Sequence, residues 1–302
     1  MRKGIVLIAL TLLAARLPAG AQTPEQPAQL FDTGTAWDLG QGGAVTAVRG
    51  NLAGMLWNPA ALADLTQRQV VYAEALRSFP KSLRFVAYGQ NGEGGPPGGL
   101  AYLRVDNAVY DLKETAILYT FAQQWTDRLG LGVTMKLSRY EYPGDAKELL
   151  SFDAGALYDV NPALSFGVSV CNINEPKIRD AVVLSETQTL APLTAVRRVN
   201  AGLQLRLSPK DRPGVVGAAG RVYHTRVTMD LFDVTDEIKR ELRFGIEHDL
   251  NANLVARAGL LSSTPTAGIG VRLRNLTLNG AVLFGREGHR ATESMLSLAS
   301  AF

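Results

Sequence analysis

Three features of this 302-residue sequence predict an all-β, membrane-spanning antiparallel barrel of about fourteen strands. Apolar residues recur at every second position in one segment after another, an export-type leader precedes them, and a last alternating run ends on Phe302. Period-two patterning places successive side chains on opposite faces of a strand, so each such segment has one apolar and one polar or bare face.

The alternation is explicit in five places. Leu129, Leu131, Val133, Met135 and Leu137 share a face opposite Gly130, Gly132, Thr134, Lys136 and Ser138. Leu164, Phe166, Val168 and Val170 oppose Ser165, Gly167, Ser169 and Cys171; Ala201, Leu203, Leu205 and Leu207 oppose Gly202, Gln204 and Arg206. Leu242, Phe244 and Ile246 oppose Arg243, Gly245, Glu247 and Asp249, and Ile269, Val271 and Leu273 oppose Gly270, Arg272 and Arg274. Helical spacing fits none of these runs.

Segments of this kind start near Arg68, Ser82, Gly98, Leu112, Leu129, Leu149, Ala163, Val196, Arg221, Lys239, Asn253, Thr266, Leu276 and Ala291. Residues 65–302 are enough for fourteen tilted strands of about 9 to 11 residues with their connections. Short connections at Trp125-Thr126-Asp127, Val160-Asn161-Pro162, Asn251-Ala252-Asn253 and Arg274-Asn275 alternate with longer ones at Tyr140 to Glu148 and Asn172 to Ala195. Barrels of the outer membrane place short turns in the periplasm and longer loops outside. An even strand count with both ends periplasmic follows.

Residues 1–21 read as a cleavable secretory signal peptide: Arg2 and Lys3, an apolar run from Ile5 to Ala15, then Ala19-Gly20-Ala21. The run is too short for a membrane helix, which needs about 20 residues. Of the 31 basic residues the leader holds Arg2, Lys3 and Arg16, and it holds none of the 28 acidic ones, so the mature chain is balanced in charge. That removes the electrostatic case for a nucleic-acid partner. One cysteine, Cys171, excludes an internal disulfide framework and is expected to be a buried inert thiol. The pattern implies membrane lipid as the surroundings and the cell outer membrane, with its assembly machinery, as the destination.

Residues 22–64 are expected to form an N-terminal plug. The stretch from Ala36 to Val48 contains Gly42-Gly43-Ala44, and Asn58-Pro59-Ala60-Ala61-Leu62-Ala63 follows ten residues later. Pro59 lacks a backbone donor and fixes its own φ, Asn58 can bond nearby backbone, and Ala60 is small enough to lie against a wall. These residues resemble the plug of the FadL-like and PorV/PorQ-like outer-membrane barrels, in which a Gly-Gly-Ala stretch leads to Asn-Pro-Ala before the first strand. Arg49-Gly50-Asn51 departs from the acidic pair common there, and Ala61 replaces the usual glycine. The resemblance implies a fourteen-stranded barrel, and Phe302 resembles the C-terminal assembly signal of such proteins.

Within that resemblance two activities compete. The inward parity includes Asp153, Asp159, Arg206, Arg243, Glu247, Asp249, Arg257, Arg272 and Arg274, a lining poorly suited to grease. Together with the compact length this resembles PorV/PorQ-type partners in protein secretion or surface display, with the two longer loops offered to secreted cargo or secretion components. The alternative is a FadL-like transporter of hydrophobic small molecules such as fatty acids or hydrocarbons. No enzyme is expected: there is no Gly-x-Ser-x-Gly, no phosphate loop, and no metal-ligand spacing among His224, His248 and His289. No catalytic, cofactor or metal residue is assigned. Lys210-Asp211-Arg212 reads as a solvated periplasmic turn.

Overall fold

The computed structural model describes residues 34–302 apart from 78–80, 91, 93–96, 109–110, 181, 186–187, 191, 208–224, 235–239 and 286–291, and before residue 34 only Gln26–Pro27. The signal-peptide segment, Lys210-Asp211-Arg212, His224 and His289 lie outside the described residues.

Fourteen antiparallel strands close into a barrel. They are β1 (Gln69–Arg77), β2 (Lys81–Gln90), β3 (Gly98–Asn107), β4 (Leu112–Thr126), β5 (Leu129–Tyr142), β6 (Asp145–Asn161) and β7 (Leu164–Cys171). They continue with β8 (Arg198–Leu207), β9 (Thr225–Phe232), β10 (Glu241–Asp249), β11 (Leu254–Leu261), β12 (Thr264–Leu273), β13 (Leu276–Leu283) and β14 (Glu293–Ala301). Each pairs with the next, and β14 closes on β1 through Leu298 opposite Tyr72 and Ala301 opposite Gln69. Closure leaves no strand edge unpaired, the condition for crossing hydrocarbon with a sheet.

The outward face is apolar over most of its area. Val133, Met135 and Leu137 on β5, Phe244 and Ile246 on β10, and Leu296 and Leu298 on β14 are all exposed. A water-soluble sheet protein would hide that surface; an exposed apolar band of this kind suits contact with lipid.

Both barrel termini lie at one end, together with tight turns between β4 and β5, β6 and β7, β10 and β11, and β12 and β13; this is the turn end. The longest described connection, between β7 and β8, lies at the opposite loop end. One expectation about connections is corrected. Tyr140 to Glu148 is not a loop: β5 and β6 run on in register to Tyr142 opposite Asp145, and only Pro143-Gly144 turns, with Gly144 at φ 82°. The strand expected near Arg221 is described from Thr225 onward. β4, β5 and β6 have 15, 14 and 17 residues, so this side stands taller than the strands of 8 to 10 residues elsewhere.

Residues 34–65 carry helix α1 (Ala36–Gly40), helix α2 (Gly54–Trp57) and a 3-10 turn (Pro59–Asp64). Thr35 caps α1 by accepting from Asp38 N, while the Asp38 carboxylate accepts from Thr35 N, a reciprocal capping box. α1 packs against β11 to β14 and the 3-10 turn against β3 to β6, so the segment crosses the barrel interior from wall to wall.

Candidate functional site in the barrel interior

The segment fits because the wall beneath it lacks side chains. A Cβ on Gly132 would stand 2.6 Å from Pro59 O, one on Gly245 2.6 Å from Gln41 O, one on Gly202 2.8 Å from Thr46 Cβ, and one on Gly268 2.9 Å from Gly40 Cα. Gly167 faces Thr46 and Ala47, Gly155 faces Asn58, and Gly259 faces Gly42 in the same way. Several are cross-strand neighbours: Gly132 opposite Gly155, Gly167 opposite Gly202, Gly245 opposite Gly259, and Gly89 opposite Gly99. The inward glycines therefore form a belt that receives the segment, its backbone at Gly132, Gly245, Gly259 and Gly268 and its side chains at Gly89, Gly99 and Gly155.

The motif residues dock there. Gly42 and Gly43 both take positive φ, 62° and 68°, which turns the chain sharply after α1, and Gly42 N donates to Thr266 Oγ1 at 3.1 Å. Ala44 is buried. Asn58 donates from Nδ2 to Thr46 O (2.7 Å) and Ala156 O (3.2 Å) and accepts from Ala60 N (3.1 Å), with Pro59 and Ala60 buried beside it. Arg49 pairs with Asp64 (2.6 Å) and Asp159 (3.2 Å) and donates to Leu157 O (3.0 Å). It ties the end of the segment to β6.

The inner wall has two unlike sectors. On β8–β12, Glu247 sits among Arg257 (2.7 Å), Arg226 (2.9 Å) and Trp37 Nε1 (2.9 Å). Arg257 also donates to Asn279, and Arg272 pairs with Asp249 at 2.8 Å. Asp230 accepts from Val45 N and Thr46 N, both at 2.7 Å. Arg243, fully buried, stacks over Phe232 with its guanidinium carbon 3.4 Å from the ring centroid and pairs with Glu241. Within the segment, Asp38 accepts from Gly34 N, Thr35 and Trp57 Nε1, and burial raises its pKa above the ordinary value.

On β1–β4 most inward side chains are apolar, Val71, Ala73, Leu83, Phe85, Ala87, Ala101, Leu103, Val105, Leu112, Ala116 and Leu118, all buried; Asn107, Glu114 and Thr120 are buried polar exceptions, with Glu114 accepting from Ser138 Oγ and Tyr140 Oη. The apolar ones belong to one cluster with Leu52, Met55 and Leu62 of the segment and with Ile178, Leu193 and Ala195 of the β7–β8 connection. That connection carries short paired strands, Lys177–Arg179 and Leu193–Thr194, and turns apolar side chains back into the barrel mouth.

The expected inward residues are distributed accordingly. Arg243, Glu247, Asp249, Arg257 and Arg272 converge around the segment; Arg206 approaches Asp159 near the turn end (3.9 Å), and Asp153 accepts from Asn172 N near the loop end. Arg274 is a correction: it is an exposed turn residue at φ 51°. The expectation of a lining hostile to grease is also corrected, because it overlooked β1–β4. The missed signal was β3, where Leu100 and Tyr102 alternate with Ala101 and Leu103, so both faces are apolar from Leu100 to Leu103. Cys171 is buried, His248 points outward and meets Thr225 at 2.8 Å, and Phe302 N donates to Arg68 O. Among the described residues no group of three or more His, Cys, Asp or Glu could hold a metal ion.

No family model and no curated protein matches the sequence. Solved structures do match. CymD, a monoaromatic hydrocarbon channel, superposes with a TM-score of 0.59 at 13% identity, over 91% of this chain and 98% of its own. The Ralstonia pickettii toluene transporter TbuX gives 0.60 at 12%, over 91% and 99%. The Pseudomonas putida toluene transporter TodX gives 0.56 at 12%, over 91% and 99%. The chain shares its barrel fold with these proteins. At such identities the likeness extends to fold alone.

Proposed function

We propose that the protein is an outer-membrane barrel that passes small hydrophobic molecules inward, with residues 34–65 as its plug. The observation that carries this reading is the continuous apolar surface from Ile178 and Leu193 at the mouth, along Leu103 and Phe85, to Leu52, Met55 and Leu62 of the segment. A hydrophobic solute could exchange one apolar contact for the next along it, with the β7–β8 connection as cover. Fold likeness to a hydrocarbon channel and two toluene transporters supports the same reading. The turn end then faces the periplasm, where a chain led by a signal peptide would arrive.

Uptake of a labelled monoaromatic hydrocarbon by cells expressing the barrel tests it. Uptake should exceed that of barrel-free cells and fall to background for Leu103→Asp, with heat-modifiable gel migration certifying folded barrel. Equal uptake with and without the protein would end this reading.

A second reading, a PorV/PorQ-type partner for secreted proteins, draws on the β5–β6 hairpin, which projects beyond the shorter strands. Cross-linking from Tyr142 or Asp145 to a secreted polypeptide would favour it. The burial of Ile178 and Leu193 weighs against the β7–β8 connection as its docking loop.

A further inference from the structure

The lipid-facing wall is not apolar everywhere. Counted from the turn end, Glu74 is the sixth residue of β1, and Arg84 and Arg104 are the seventh of β2 and β3. All three alternate with inward residues and therefore point outward, as Ala73, Leu83, Phe85, Leu103 and Val105 point in. At the same sixth or seventh position, other strands present Met135, Phe244, Leu260 and Leu296, all exposed and apolar. Charge at this height is confined to β1–β3.

The arrangement also sets like charges side by side. Arg84 and Arg104 are direct cross-strand partners, a pairing repulsive in itself that leaves N–H donors to spare once Glu74 and Asp106 have each taken one guanidinium. Glu74 accepts from Arg84 Nε at 2.9 Å and from Tyr72 Oη at 2.7 Å, which fixes the first guanidinium. Arg104 reaches Asp106 only at 3.5 Å, and Ser82 donates to the same carboxylate at 3.3 Å. These residues line a hollow of about 340 Å³. Each guanidinium carries five N–H donors, more than one carboxylate can accept, in a fork that matches phosphate oxygens.

We infer that the outer face of β1–β3 binds the phosphate-bearing headgroup of an outer-leaflet glycolipid, held by Arg84 and Arg104 with Ser82 at the rim. A lipid is the occupant because the next outward row, Tyr72, Val86, Tyr102 and Ile117, is exposed and apolar, so acyl chains can lie directly beneath the headgroup. The carboxylates of Glu74 and Asp106 orient the guanidiniums and limit the site to an anion strong enough to compete. This site lies outside the barrel and does not depend on what passes through it.

Native mass spectrometry of the detergent-extracted full-length protein tests the inference. Diphosphoryl lipid A should be retained at one per barrel about tenfold better than its fully dephosphorylated counterpart, a comparison on the wild-type chain alone. Arg84→Gln with Arg104→Gln should erase that preference, and Arg139→Gln, on the taller β5, should leave it intact. The inference is overturned by equal retention of the two glycolipids, by a preference that survives in the folded double variant, by displacement with millimolar inorganic phosphate alone, or by a polypeptide occupying this face in the extract.

Discussion

On β8–β12 the inner wall carries Arg243, Glu247, Asp249, Arg257 and Arg272 around inward glycines, whereas on β1–β4 it carries Leu83, Phe85, Leu103, Val105 and Leu118. The N-terminal segment answers both: it presents Trp37, Gln41 and the backbone of Val45 and Thr46 to the charged wall, and Leu52, Met55 and Leu62 to the apolar one. The charged wall fixes position, because buried ion pairs and hydrogen bonds tolerate little displacement. The apolar wall fixes no single register, and under the proposed uptake it is the surface along which a hydrophobic molecule would exchange places with side chains. The contrast teaches that a barrel interior of mixed composition can divide holding from passage by sector.

The contrast breaks most severely at the glycine belt. Gly259→Val would thrust a side chain into Gln41 and Gly42 and expel the first half of the segment; limited proteolysis should then cut within residues 34–50, which are protected in the native barrel. Next is Glu247→Ala, which removes the carboxylate that pairs with buried Arg257, at a cost of about 3 to 5 kcal/mol. Denaturant titration of the refolded barrel measures it. Phe85→Ala on the opposite wall should cost a comparable ~3 to 5 kcal/mol through its cavity, yet leave residues 34–50 protected, because that wall does not anchor them.

A smaller effect is expected from pH. The pKa of Asp38 is raised on folding, so the folded segment holds that proton at pH values where the unfolded carboxyl, near 3.8, has lost it. Docking of the segment is therefore favoured below that value and loses free energy as pH rises through the folded pKa. Hydrogen exchange over residues 34–40 should quicken with pH beyond the intrinsic base-catalysed trend, and Asp38→Asn should remove the excess. Smallest of all is Arg139→Ala, whose pairs with Glu141 and Glu148 are exposed and screened by solvent, so the denaturation midpoint should scarcely move.

Much of this architecture was legible in the chain. Period-two alternation from Gln69 to Ala301 sets strand positions because side-chain direction in a strand is local, and fourteen segments with a lipid-compatible face can satisfy their backbone only by closing. Gly42-Gly43 and Asn58-Pro59 announced turns because positive φ and a missing donor are properties of single residues. Which inward glycine meets which part of the segment was not legible, since Gly167 and Thr46 are brought together only by closure. Nor was the apolar sector, because β3 with two apolar faces reads the same whether its inner face meets solute, loop or segment. Sequence by itself determined the strands, their faces and the special backbone positions, all governed by neighbours along the chain. Only the tertiary structure decided how the inner faces divide into a gripping wall and an apolar one, and that Arg84 stands beside Arg104 on the outside, since both depend on register between strands far apart in sequence.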